Sequence, residues 1–266
     1  MKDRGMQNIE TPRMIRERIR KRDWTGPTTG LAPAHAQANL VILERKYAFD
    51  FLLFCVRNPK PCPVLEVLEA GEVEPRRIAP GADIRSDLPL YRIWRKGQLQ
   101  EEVAEIASFF NDNMATFLLG CSFSFEGALL GAGIPVRNIE EGKNVSMYIT
   151  NRKCEDAGPF SAPLVVTMRP VPHELVSRAV QITSRYASVH GAPIHVGDPK
   201  VLGIDDLDVP DFGDPVTIRD GETPVYWACG VTSSLAVLSA GLELCITHAP
   251  GHMFVSDVLN ESLAVI

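Results

Sequence analysis

Thr116-Phe117-Leu118-Leu119-Gly120-Cys121-Ser122-Phe123-Ser124-Phe125-Glu126 decides how this chain is read. A run that reads as buried strand stops at a glycine, passes through Cys, Ser and Ser, and enters an apolar helical pattern from Phe125 to Gly131. This is a strand-to-helix turn, and it predicts an α/β protein with polar side chains and a helix N-terminus at the top of a sheet. The unpaired N–H groups and the macrodipole of such a terminus favour negative charge. Cys121, Ser122, Ser124 and Glu126 therefore form a candidate anion-receiving corner, with simple helix capping by the serines as the alternative.

Upstream of this corner, Pro12 to Arg22 reads as a basic amphipathic helix, with Thr11 at its N-cap and Pro12 at the first helical position. Gly26 to Pro33 reads as a loop. Ala34 to Leu43 offers a helical run carrying Gln37 and Asn39, and Tyr47 to Val56 is apolar enough for helix or strand. Val64–Val67 and Leu90–Arg95 read as strands, and Glu101 to Phe110 as a helix with Val103, Ile106, Ala107 and Phe110 on one face. Downstream, Pro135–Arg137, Val145–Tyr148, Leu164–Met168 and Ile194–Val196 read as strands, and Pro172–Tyr186 as a helix. Pro224–Cys229 and Leu242–Ile246 read as buried strands returning to the main sheet. The expectation is a mixed-sheet main α/β lobe, residues 12–144 with 223–266. A smaller inserted α+β lobe spans 145–222, and residues 1–11 form a flexible N-terminus.

The chain has 266 residues, enough to bury roughly 70–75% of its unfolded surface. A hydrophobic content of 45% and a charged content of 23% are those of a soluble globular protein. With 27 basic and 33 acidic side chains the net charge is −6, which argues against a nucleic-acid footprint. The Arg-rich N-terminus lacks the apolar core of a secretory signal and no stretch has the length of a membrane span, so a cytoplasmic location is expected. Six cysteines without a C-x-x-C pair fit neither a disulfide framework nor a zinc finger.

Four of the six histidines fall in two Gly- and Pro-rich loops, His190-Gly-Ala-Pro-Ile-His195-Val-Gly-Asp198 and Thr247-His248-Ala-Pro-Gly-His252-Met-Phe. Loops held this way present side chains to clefts, and imidazoles suit acid–base work near neutral pH. His248 and His252 have an i, i+4 spacing, but Pro250-Gly251 between them breaks the helix that a metal pair needs. No metal site is assigned, and a divalent metal stays open as an alternative. Arg137 at a strand end has the planar fork of a carboxylate clamp, or else pairs with Glu140 or Glu141. Tyr148 and Asn151 close a polar strand end that suits a small ligand. Cys121 has the setting of a nucleophile with a lowered pKa, although no G-x-S-x-G pattern surrounds it.

Several islands occur together in order: Gly26-Pro-Thr-Thr-Gly-Leu-Ala-Pro33, Phe49–Cys55, Asn58–Pro63, Gly81–Arg85, Gly120–Glu126, Gly191–Pro193, Asp211–Pro215, Trp227–Val231 and Thr247–Phe254. In these the chain, from about residue 12 to 258, resembles the bacterial hydro-lyase family related to the mitochondrial D-glutamate cyclase. The resemblance implies two α/β lobes and the closing of D-glutamate to 5-oxo-D-proline with loss of water. Where the family has Gly-Tyr-Val this chain has Ala34-His35-Ala36, so His35 is not a catalytic candidate. On this reading Ser122, Ser124 and the corner's N–H groups are donors to a small carboxylate substrate, and Arg137 clamps a carboxylate. His248 and His252 act as acid and base, with Glu126 as alternative, and Tyr148, Asn151, His190, His195 and Asp198 serve substrate binding. An acyl-Cys121 intermediate, as in an amidase or lactamase, and a non-catalytic carboxylate binder remain as alternatives. A homo-oligomer is left open.

Overall fold

The computed structural model describes residues 10–265, so most of the expected flexible N-terminus lies outside the described residues. The first half runs α1 (Pro12–Arg20), β1 (His35–Glu44), α2 (Arg45–Arg57), β2 (Val64–Leu68), β3 (Tyr91–Arg95), β4 (Gln98–Val103) and β5 (Met114–Gly120). There follow α3 (Phe123–Gly131), α4 (Arg137–Glu140), β6 (Ser146–Lys153), β7 (Pro163–Pro172), α5 (Val176–Ser184) and β8 (His195–Val196). The chain closes with β9 (Glu222–Ala228), α6 (Val231–Ser239), β10 (Cys245–His248) and β11 (Phe254–Leu259).

The α/β class holds, and the pairing within both sheets is antiparallel rather than mixed. The larger sheet has the order β2-β5-β1-β10-β3-β4, with β11 also on β1, and the smaller the order β6-β7-β9-β8. Two antiparallel pairings separate β1 from β2, so the β1–α2–β2 connection crosses over β5 to a parallel strand.

β1 corrects the expected helix at 34–43. Leu40 and Ile42 face one core, with Ile93, Leu118, Ile246 and Phe254, while Val41 and Leu43 face another, with Phe51, Phe117 and Tyr226. A strand buried on both faces shows no polar alternation, which is why its run passes for a helix. The expected helix at 101–110 is also overturned. Lys96 and Gly97 both have positive φ, 51° and 76°, which makes a primed two-residue hairpin turn and pairs Arg95 with Gln98. The helical spacing of Val103, Ile106 and Phe110 instead anchors an edge strand and the turns after it. Pro135–Arg137 is not a strand but leads into α4.

β9, expected in the main sheet, pairs with β7 and β8 in the smaller one. It was indistinguishable by composition from β10, because each is a short buried run whose partner lies far off in sequence. The first core spans both sheets and α2, bringing Phe51, Phe117 and Phe160 together with Tyr148, Met168 and Tyr226.

α1 starts as expected: Thr11 Oγ1 accepts from Met14 N and Pro12 opens the helix. Its basic residues are neutralised, Arg16 by Asp257, Arg18 by Glu10 and Arg20 by the buried Asp87. Among the described residues no helix is long and apolar enough to cross a membrane.

Candidate functional site

β10 and β11 are one antiparallel partner of β1, interrupted. Thr247 is paired with Val41 and Phe254 with Ala38, so six residues, His248 to Met253, stand opposite only Asn39 and Leu40. Pro250 and Gly251 (φ 77°) turn this excursion out of the sheet. Its floor is taken by His248, whose Nδ1 lies 3.2 Å from Leu40 N and 3.4 Å from Leu40 O. The closer contact is a donation from the Leu40 N–H, which leaves the ring proton on Nε2.

This excursion walls a cavity of about 370 Å³ between the two sheets. Two helix N-termini converge on it: Cys121, Ser122 and Phe123 at the head of α3, and Cys229, Gly230 and Val231 at the head of α6. Neither helix carries a side-chain cap; backbone bonds close their first turns instead, from Ser124 N and Phe125 N to Cys121 O and Ser122 O, and from Thr232 N and Ser233 N to Cys229 O and Gly230 O. Close packing makes this convergence. A Cβ at Gly230 would fall 2.4 Å from Asn39 Nδ2, and one at Gly120 would fall 2.6 Å from Val189 Cγ1. Asn39 Nδ2 itself donates to Gly120 O at 3.0 Å, tying the two strand ends together.

Because the Gly120 backbone lets residues 187–189 approach, His190 reaches the cavity at 1% exposure, in a positive-φ conformation (83°) unusual for a non-glycine residue. Its Nδ1 donates to Lys60 O at 2.7 Å, and Nε2 is buried without a partner. Burial pushes the pKa of His190 and of His248 down to about 4. Both rings are therefore neutral at pH 7, His190 with a lone pair on Nε2 and His248 with a proton there. The thiols do not become thiolates: burial pushes Cys121 up to about 12 and Cys229 up to about 11, outweighing the N–H groups of Phe123 and Val231. The lowered pKa expected for a nucleophilic Cys121 is thus corrected.

Behind Ser122 lies Arg169, 1% exposed. It donates to Glu126 Oε1 (Nη2 2.5 Å, Nε 3.1 Å), to Ser122 Oγ (3.1 Å) and to Thr167 Oγ1 (3.0 Å). Phe125 and Trp227 flank its guanidinium at 5.4 and 5.6 Å. Arg92 stands on another wall of the cavity, its Nε held by Glu102 at 2.8 Å. Among the described residues, no three His, Cys, Asp or Glu side chains gather as a metal site would need.

The family model for D-glutamate cyclase matches residues 115–257, a span that runs from β5 to β11 and contains both helix heads, His190 and His248. The chain belongs to the D-glutamate cyclase family. It is 73% identical over 98% of its length to the whole of a Syntrophobacter fumaroxidans protein named "Putative hydro-lyase". It is also 60% identical over 96% of its length to 97% of a Stutzerimonas stutzeri protein of that name, and 58% identical over 94% to 95% of one from Geobacillus kaustophilus. This D-glutamate cyclase family member is an enzyme of the hydro-lyase class.

Of the residues singled out from the sequence, Cys121, Ser122, His190 and His248 line the cavity of this family member. Glu126 meets it through Arg169 and Ser122, and Ser124 is buried beside it without a hydrogen-bond partner. The others stand elsewhere. Arg137 is no free clamp: it is 1% exposed, paired with Glu222 at 2.5 Å and Glu140 at 2.9 Å. Tyr148 donates to Leu207 O, His195 Nε2 meets Asp198 O, and Asp198 caps the short helix at 199–202. Asn151 is exposed at the far end of β6, and His252 lies outside the cavity wall, against Pro250 O. Sequence reading missed Asn39, Arg92, Arg169 and Cys229. Asn39 was hidden in a strand taken for a helix. The one available signal for Arg169 is a charge inside a run, 164–171, whose only other polar side chain is Thr167.

Proposed function

We propose that the cavity between the two helix heads closes D-glutamate to 5-oxo-D-proline with release of water. The observation that carries this reading is the pair of neutral imidazoles, His190 and His248, which present opposite Nε2 functions to one cavity. The reaction forms the bond between the α-nitrogen and the carbon of the γ-carboxylate and breaks one of that carbon's bonds to oxygen. Two protons pass from the ammonium group to the departing oxygen, which leaves as water.

His190 Nε2 takes a proton from the ammonium group, whose own pKa the same desolvation lowers, and delivers it to the γ-carboxylate. The neutral amine then attacks the protonated carboxyl. His190 carries the second proton from the attacking nitrogen to the hydroxyl of the tetrahedral intermediate. His248 stays neutral and donates its Nε2–H to the developing oxyanion, in the positive field of the α3 and α6 N-termini. Arg92 is suited to the α-carboxylate, and Ser122 is held in place by Arg169. The un-ionised thiol of Cys121 speaks against an acyl-enzyme route.

The test incubates metal-stripped protein with D- or L-glutamate, with and without Mn²⁺ or Mg²⁺, and follows 5-oxoproline by chromatography. Product from the D-isomer is expected, with turnover lowered about 10²–10⁴-fold in His190→Asn. Absence of product, or equal product from both isomers, would overturn the substrate assignment.

A further inference from the structure

The cavity that holds His190 and His248 is larger and more apolar than a short amino acid needs. Its volume of about 370 Å³ falls in the range of drug-sized ligand sites, about 300–1,000 Å³. Its walls differ by origin. Asn39, Arg92 and His248 reach it from β1, β3 and β10 of the larger sheet. From the side of the smaller sheet comes one continuous apolar cluster. Val145, Met147 and Cys229 form it with the partly buried Phe212 and Leu235, and all five line the cavity. Glutamate has only a short methylene stem to set against this surface, which suits the hydrocarbon part of a larger ligand.

Charge points the same way. Among the described residues lining the cavity, Arg92 carries the one permanent charge, and both imidazoles are neutral at pH 7. One cation answers one carboxylate, and the α-carboxylate takes it. A neutral γ-carbonyl group leaves no second anion to be desolvated. The helix heads tell where the hydrocarbon is attached. Phe123 and Val231, the first residues of α3 and α6, pack against the same apolar cluster. In the catalytic reading the oxyanion of the γ-carbonyl develops between these heads. The cluster therefore starts beside that carbonyl and covers the group that leaves from it.

We infer that this cavity has a further activity, closing γ-D-glutamyl amides of hydrocarbon amines to 5-oxo-D-proline with release of the amine. The α-nitrogen bonds to the γ-carbonyl carbon, and that carbon's bond to the amide nitrogen breaks. Two protons pass from the α-ammonium group to the departing nitrogen, carried by His190 Nε2, and the amine leaves as its ammonium ion. No other reactant is consumed. The amine bears no carboxylate of its own, since the apolar cluster contains no cation to receive one. This activity rests on the same reading of the cavity as the catalytic site.

The test incubates the full chain with γ-D-glutamyl-n-butylamide, D-glutamine or D-glutamate, and follows 5-oxoproline and released amine by chromatography against enzyme-free blanks. D-Glutamine has the same bond to break without the hydrocarbon. Equimolar 5-oxoproline and n-butylamine are expected, with kcat/KM for the butylamide at least about tenfold above that for D-glutamine. In Phe212→Ala that preference should shrink at least about threefold, whereas Phe212→Leu should keep it; a ratio of two substrates cancels any loss common to both. Met147 N donates to Phe212 O at 2.9 Å and Phe212 N to Met147 O at 3.2 Å, so backbone bonds hold this loop in both variants. Product from D-glutamate without a preference for the butylamide would overturn this activity and leave the D-glutamate assignment standing. Turnover of the butylamide but not of D-glutamate would support it and overturn that assignment. No turnover of any of the three, or an unchanged preference in folded Phe212→Ala, would overturn it.

Discussion

Arg169 shows how one residue joins packing to chemistry. Its guanidinium lies between Phe125 and Trp227 and is, among the described residues, the one charge partner of Glu126, in a region where both side chains are at most 7% exposed. Arg169→Met should destabilise the fold by about 3–5 kcal/mol, because it leaves a buried carboxylate unpaired. Adding Glu126→Leu should restore much of that loss, and urea unfolding of the single and double variants is the measurement. Gly120 acts by absence: in Gly120→Ala the new methyl would strike Val189 and Ser188 O and push His190 off its bond to Lys60 O. Turnover should fall at least about tenfold with a smaller change in KM, since a misplaced proton carrier affects chemistry more than binding.

At the scale of elements, two strand-to-helix turns do the same work. β5 runs through Gly120-Cys121-Ser122 into α3, and β9 runs through Cys229-Gly230 into α6, so that both helix heads face one space. Local reasoning expects a helix N-terminus to acidify a thiol, and at Cys121 burial wins over it. Iodoacetamide at pH 7.5 should leave Cys121 unmodified over hours, and Cys121→Ser should keep turnover within about tenfold; rapid, substrate-protected inactivation would restore the thiol mechanism. The first of these turns was legible because its strand, glycine, capping residues and helix are consecutive. β1 was not, since burial on both faces erases the alternation that identifies a strand. The 248–253 excursion is legible as a loop from Pro250-Gly251, but its place opposite Asn39 and Leu40 exists only in the sheet register.

For the whole molecule, burial of the two cavity imidazoles makes stability depend on pH. Their pKa of about 4 in the fold stands against about 6.5 in an unfolded chain. Between those values the unfolded state binds more protons, so their effect is absent above about pH 6.5 and stability falls as pH drops towards 4. Each of the two is worth on the order of 3 kcal/mol by the lower end of that window. Melting temperature should therefore decline more steeply from pH 6.5 to 4 in the parent than in His190→Asn/His248→Asn, as calorimetry across that range can measure.

By itself the sequence determined the elements whose signals are consecutive: the capped start of α1, the β5–α3 turn with Cys121 and Ser122, and the histidine loops. Its ordered islands also determined the family. Only the tertiary structure decided that β9 joins the smaller sheet, and so that Cys229 and Gly230 stand across from Cys121 and Ser122. It likewise decided that Arg169 rather than Arg137 reaches Ser122 at the cavity, and that His190 and His248 share that cavity. The physical reason is that strand pairing and burial are made between residues far apart in the chain. Local pattern limits what each segment can be, while partners, exposure and pKa follow from what packs against it.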